Sequence, residues 1–240
     1  MNSIELSVII PTYKEEKRLG KTLENVTDFL GKIVSDFEII IVDDNSPDNT
    51  IKVAKGFGNK KIKIIKNPKR VGKGASVRIG IEKSKYPLML ITDADLSTPI
   101  EEVSKLLKNK GRNDIVIGSR RSKDSDIKKS QPMKRSFFGK MFVLLTRIVL
   151  GLDFEDTQCG FKLMEAKAAR DIFRIQKISG YCFDAEILFI AKKSGFLVKE
   201  VGTKWLDNPE ESKIRPVRDG LKMLADLLRI RLMWSAGLYK

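Results

Sequence analysis

The sequence predicts an α/β fold built on a mostly parallel sheet with helices on both faces. Two observations carry that expectation. Short apolar runs rich in Ile, Leu and Val alternate with segments of helical period, the rhythm of βα units in a parallel sheet. Two of those runs end in acidic clusters, Asp43-Asp44-Asn45-Ser46 and Asp93-Ala94-Asp95, and strand ends are where open α/β sheets gather their ligands. The chain has 240 residues, 42% hydrophobic and 32% charged, enough for one large domain with a proper core.

Taken in order, the strands are expected at Leu6–Ile10, Glu38–Val42, Ile62–Ile65, Leu88–Thr92 and Asp114–Gly118, with helices between them at about 15–31, 48–56, 73–85 and 99–109. The helix near Pro99 has the best start signal: Thr98 can cap, Pro99 suits the first turn, and Glu101 stands where a capping box needs it. Beyond residue 119 the rhythm changes. Residues 120–136 are polar and basic and read as a long loop; a helix follows at about 134–150. A Gly/Cys segment, 156–162, leads into a short strand and helix. A helix at 184–194 and a strand near Phe196–Val201 complete the core, and 217–234 reads as an amphipathic helix. There is no repeat, and one domain over 1–240 is expected.

The chemistry is expected at the strand ends. Carboxylates one residue apart, as Asp93 and Asp95 are, suit a hard divalent cation, because Mg²⁺ and Mn²⁺ prefer oxygen ligands and bridge to a diphosphate; an isolated pair of this kind also serves as a turn cap and a solvated acid. Pro11-Thr12-Tyr13-Lys14-Glu15 follows the first strand, and its aromatic and carboxylate could receive a base or simply start a helix. Asp44 could accept from a nucleobase or ribose, while Ser46-Pro47-Asp48 serves equally as a helix cap. Asn67 to Gly74 contains a Gly-Lys-Gly step but is not a Walker A loop, since the required early glycine and the Ser or Thr after Gly-Lys are missing; Lys73 at a helix start can still meet an anion.

Composition narrows the classes. Lys and Arg number 46 against 31 Asp and Glu, a net charge of +15, which favours anionic partners: phosphorylated substrates, an anionic membrane surface or nucleic acid. No nucleic-acid reader motif accompanies the charge, and no nucleic-acid partner is expected. Cys159 and Cys182 are too few for a disulfide framework, nothing resembles a secretory leader, and a cytoplasmic setting is expected. No run is long and apolar enough to span a bilayer. Histidine is absent altogether, which removes the usual general base at neutral pH.

Ser7 to Tyr13, Val42 to Thr50, Gly72-Lys73-Gly74 and Asp93 to Pro99 together resemble a family 2 glycosyltransferase with the Rossmann-like GT-A fold. Gly118-Ser119-Arg120, Asp156 to Lys162 and Phe183 to Glu186 narrow the resemblance to the branch that makes dolichyl-phosphate sugars, nearer to its glucose synthases than to its mannose synthases. It spans nearly the whole chain. It implies a nucleotide-sugar-binding half at 1–119, an acceptor half at 120–212 and an amphipathic C-terminal segment at 213–240. It further implies a nucleotide site at Pro11, Tyr13, Glu15 and Asp44, Mg²⁺ or Mn²⁺ on Asp93 and Asp95, and phosphate contacts from Arg120, Arg135 and Lys213. Asp156 and Gln158 are the remaining expected catalytic residues. The donor implied first is UDP-glucose, then GDP-mannose, and the acceptor is dolichyl or polyprenyl phosphate. Membrane contact, as a peripheral protein on the inner face, would fall to the helices at about 134–150, where Phe137, Phe138 and Phe142 cluster, and at 217–234.

A phosphate acceptor fits a chain without histidine. Its second pKa is about 6, so it attacks without losing a proton to the enzyme. A hydroxyl acceptor would need a general base, for which Asp156, Asp184 and Glu186 are the local candidates.

Overall fold

The computed structural model describes residues 3–122, 124–127, 133–206 and 216–239, apart from some side chains, including those of 133–138. The order is β1 Glu5–Thr12, α1 Leu19–Ile33, β2 Asp36–Asp43, α2 Thr50–Gly56, β3 Ile62–Lys66, α3 Lys73–Lys83 and β4 Leu88–Ile91. A 3₁₀ turn at Ile100–Glu102 opens α4 Val103–Lys108. Then come β5 Ile115–Ser119, β6 Asp126–Ile127, α5 Met133–Leu150, β7 Lys162–Glu165, α6 Ala166–Ile175, α7 Phe183–Lys193, β8 Val198–Gly202, β9 Lys204–Trp205 and α8 Pro216–Ser235.

Seven strands form one sheet in the order β3-β2-β1-β4-β7-β5-β8. All neighbours are parallel except at β7, which runs antiparallel between β4 and β5. The sheet therefore draws on both halves of the chain. Its inner strands read as unbroken apolar runs because both faces are covered. Along β4, Met89 and Ile91 enter one core with Phe173 and Phe189, while Leu90 enters the other with Leu23 and Leu106.

Three local expectations change. The capping box at Thr98 is not formed: the chain enters α4 through the 3₁₀ turn, capped by extended Pro99 without a side-chain bond. The predicted loop 120–136 contains β6, which pairs with β9 in a separate parallel ribbon. The first helix begins at Leu19 rather than 15, because Glu15 to Arg18 form a turn, with Leu19 N–H bonded to Glu15 O at 2.9 Å.

The chain crosses from one side of the sheet to the other between β1 and β4, a switch point where open sheets leave a crevice at the strands' carboxyl ends. Three non-glycine residues with positive φ follow carboxyl ends: Lys14 at 58°, Asn45 at 57° and Leu96 at 46°. Such conformations are uncommon, most of all for a residue like Leu, and they collect at functional sites.

Candidate active site

The loops after β1 and β2 are laced together. Lys14 N–H donates to Ser46 Oγ at 3.0 Å and Glu15 N–H to Thr50 Oγ1 at 2.8 Å. Asp43 closes its own turn by accepting from Ser46 N–H at 2.9 Å. Asp44, expected to face a base or ribose, is buried and accepts from Val71 N–H at 2.7 Å, Gly72 N–H at 2.9 Å and Asn67 Nδ2 at 3.2 Å. Its carboxylate anchors the 67–72 loop. That loop carries Arg70, whose guanidinium lies 4.0 Å from the centre of the Tyr13 ring. Asp48 accepts from Thr50 N–H at 3.2 Å as the chain enters α2, whose cap residue, Asn49, makes no side-chain bond.

Around the end of β4 the charges alternate closely. Lys73 Nζ lies 2.6 Å from Asp93 Oδ1. Burial alone would raise the Asp93 pKa, but Lys73, Lys162 and Arg120 nearby hold it below the ordinary value. Lys73 is raised in turn, as Asp93 and Asp184 outweigh its own desolvation. Asp95 is exposed; it accepts from Ser97 N–H at 2.9 Å and lies 3.9 Å from Arg18, which forks onto Glu15 at 2.5 and 2.8 Å. Two carboxylates at one strand end, one held ionised and one open to solvent, fit a hard cation that takes its remaining ligands from phosphate and water. Asp93, Asp95 and Lys73, each expected at the site, lie together at this end of the sheet.

The turn before β7 forms the opposite wall. A Cβ on Gly160 would stand 2.4 Å from Asp93 Oδ2, so glycine is what lets the turn approach the acid. Gly160→Ala is expected to turn the Asp93 carboxylate away from Lys73 with the fold intact, because the added methyl would fall inside the space of Asp93 Oδ2. A crystal structure of the variant checks this, and an unmoved Asp93 would show that the turn yields instead.

Asp156, expected to act in catalysis, is 1% exposed. It accepts from Arg120 Nε at 2.6 Å, Nη2 at 2.8 Å and backbone N–H at 3.1 Å. Burial would raise its pKa, but the guanidinium pulls it below the usual carboxylate range. It positions Arg120 and makes a poor base. Glu200 holds the same turn through Asp156 N–H at 2.8 Å. Gln158 follows in that turn, with its N–H on Asp156 Oδ1 at 3.2 Å and its buried amide nitrogen without a partner among the described residues. The Cys159 thiol is pushed up to about 11 by burial and by Asp156, consistent with a packing residue. The Arg135 side chain, Lys213 and the side chains of Phe137 and Phe138 lie outside the described residues.

Lys162 was given no role in the sequence reading. It is fully buried beneath the site, with its ammonium bonded to Asp184 and to Cys159 O. A lysine opening the short strand Lys162–Glu165 straight after a Gly-Phe turn, ahead of Leu163 and Met164, was the available signal. Arg18 was likewise missed, although its i,i+3 spacing from Glu15 is visible.

An α/β fold with paired acids at the switch point and cations around them is an arrangement suited to a transferase that handles phosphorylated donors. Residues 7–173 match the profile of Glycosyl transferase family 2, and the chain belongs to that family. The chain is 35% identical over 260 residues to a human dolichyl-phosphate beta-glucosyltransferase, covering 98% of this chain and 78% of that protein. It is 34% identical over 251 residues to one from Trichomonas vaginalis, covering 99% and 74%. The fold, of GT-A type, matches glucosyl-3-phosphoglycerate synthase from Mycobacterium tuberculosis in complex with Mn²⁺ and UDP-glucose at a TM-score of 0.67 and 15% identity, over 97% of this chain and 79% of that one. It also matches mannosyl-3-phosphoglycerate synthase from Rubrobacter xylanophilus at 0.68 and 18%, over 98% and 75%.

Proposed function

We propose that this enzyme transfers glucose, with inversion, from UDP-glucose to dolichyl or polyprenyl phosphate in the presence of Mg²⁺ or Mn²⁺. One observation supports this reading above the others: each carboxylate that could have served a hydroxyl acceptor as base is already engaged. Asp156 is forked by Arg120, Asp184 is paired with Lys162, and Glu186 accepts from Gln176 Nε2 at 2.9 Å, from the N–H groups of Lys177 and Ile178 at 2.8 Å each, and from the Tyr239 hydroxyl at 2.6 Å. A phosphate dianion brings its own nucleophile and makes no demand on such a base. The relatives, named for dolichyl phosphate and glucose and aligned over nearly the whole chain, support the same reading.

Asp93 and Asp95 would hold the cation, which, when bound, neutralises charge on the departing nucleoside diphosphate. Lys73 stays protonated and meets the donor diphosphate from the opposite side. Pro11, Tyr13, Glu15 and Asp44 shape the nucleotide end, Tyr13 giving a stacking face and Asp44 holding the loop that covers it. Arg120, fixed by Asp156, presents a planar donor set suited to phosphate oxygens. Arg135 and Lys213 are assigned to the acceptor phosphate, and Gln158 to the sugar.

Acceptors of this kind are lipids, and the reading carries with it a peripheral position on the cytoplasmic, inner face of a membrane. Among the described residues no helix is long and apolar enough to cross one. Helix α5 packs against α8, and both present apolar side chains outward: Met141, Leu144 and Ile148 (71% exposed) on α5, and Leu221, Leu228 and Leu232 (69% exposed) on α8. Exposed Arg147, Lys222, Arg229 and Arg231 border them, the composition of a helix pair lying on anionic lipid.

The test is a donor screen with purified protein, Mn²⁺ and dolichyl phosphate, following radiolabel into the lipid phase. Label from UDP-glucose is expected. Label from GDP-mannose alone would change the sugar, and no lipid label despite Mn²⁺-dependent binding of a nucleotide sugar would overturn the acceptor.

A further inference from the structure

Glu186 is fully buried and Tyr239 is 7% exposed, yet neither touches the site. What they do is join two distant parts of the chain. Tyr239 lies just beyond α8; its hydroxyl donates to Glu186 Oε1, and its ring stands 6.0 Å from that of Trp234, which in turn meets Phe189 edge-on at 5.4 Å. The remaining bonds of Glu186 fix Gln176, Lys177 and Ile178. Immediately onward, Ser179 O accepts from Gly74 N–H at 2.8 Å. The approach is so close that a Cβ on Gly72 would stand 2.4 Å from Ser179 O, and one on Gly74 2.4 Å from Ile178 O. Between those glycines is Lys73, paired with Asp93. Helix α8 also passes near this loop: a Cβ on Gly180 would stand at ordinary van der Waals distance, 3.9 Å, from Asp226 Oδ2.

We infer that Tyr239 is a positioning residue for the donor site, acting through Glu186 and the 176–180 loop to set Lys73 against Asp93. The inference rests on the reading of Lys73 and Asp93 as the donor-diphosphate residues. It also makes α8, the helix with the outward leucines, part of the mechanical support of the phosphate loop. A segment held by three bonds to one buried carboxylate moves when that carboxylate loses its fourth donor, the Tyr239 hydroxyl, and the loop's partner, the Gly72-Lys73-Gly74 step, has no slack to absorb the movement.

The test compares Tyr239→Phe with Tyr86→Phe. The second variant also removes a hydroxyl bonded to a carboxylate, that of Asp36, but at the opposite end of the sheet. Tyr239→Phe keeps the ring packing and is expected to fold. By hydrogen exchange of the full-length protein, the amides of Lys177, Ile178 and Gly74 should exchange about tenfold faster in Tyr239→Phe and at the wild-type rate in Tyr86→Phe. Affinity for UDP with Mn²⁺, measured by calorimetry, should fall about threefold to tenfold in Tyr239→Phe alone, with kcat at saturating donor changed less than the donor KM. Unchanged exchange at Gly74, or equal losses of UDP affinity in the two variants, would overturn the inference. Failure of the wild type itself to bind UDP would strike the donor assignment instead, and the exchange pattern alone would then decide.

Discussion

Asp95→Asn is expected to cut metal-dependent sugar transfer by about 10²-fold to 10³-fold while leaving the melting temperature within a few degrees of wild type, because an electrostatic group acting on developing charge is worth several kcal/mol to the transition state. The two effects separate because of where Asp95 sits. It is exposed, and its close bond in the folded protein is to Ser97 N–H at 2.9 Å, which the amide oxygen of asparagine can still accept. What asparagine lacks is the negative charge. Circular dichroism melts and a Mn²⁺-dependent rate measurement check the prediction together. Wild-type turnover in the variant would remove Asp95 from the metal site.

Arg120→Ala is expected to cost both stability and activity. The substitution strands the Asp156 carboxylate, 1% exposed, without its guanidinium, and breaking one side of a buried pair typically costs about 3–5 kcal/mol. In a chain of this length that lowers the melting temperature by roughly 6–20 °C. Arg120→Lys should recover part of the stability but little of the activity, since an ammonium cannot reproduce the fork on Asp156. The sign of the pH dependence follows. The folded-state pKa of Asp156 is depressed, so its pair with Arg120 contributes stability at pH values above the ordinary carboxylate pKa and loses it as pH falls through the lower folded value. Thermal melts of wild type and Arg120→Ala should therefore converge as the solution is made strongly acid; a gap that stays constant down to pH 2 would show that the pair is not the source of the loss.

Much of this was legible in the chain before its structure. The inner strands announce themselves because a strand covered on both faces has no polar side to interrupt it, and the acids that end β2 and β4 mark the crevice directly. Helices α5, α7 and α8 fall within about a residue of their expected ranges. The antiparallel course of β7 was not legible, because strand direction depends on partners far away in sequence. Nor was the role of Asp156: its partner Arg120 is 36 residues earlier, and an acid in a Thr-Gln-Cys-Gly turn looks the same whether it meets substrate or holds an arginine. The loop that Asp44 anchors was not legible for a related reason, since a strand-end carboxylate can accept equally from a nucleoside or from the backbone of a neighbouring loop. The capping box at Thr98 failed because a 3₁₀ turn took over the helix start, a choice worth little energy either way.

The insertion of β7 also orders events during synthesis. Among the described residues strand β5 pairs in the main sheet only with β7 and β8, both of which leave the ribosome after it. From Ser119 to Lys162 is 43 residues, a wait of roughly 2–9 s at ordinary elongation rates. Throughout that interval β4 has an open edge facing where β7 will enter, and β5 has no partner at all. The nascent chain thus passes through a stage with a bare, apolar sheet margin, the kind of surface that invites pairing with other chains. Mutations that slow the entry of β7 would accordingly be felt first as poor yield of soluble protein, ahead of any change in the finished enzyme.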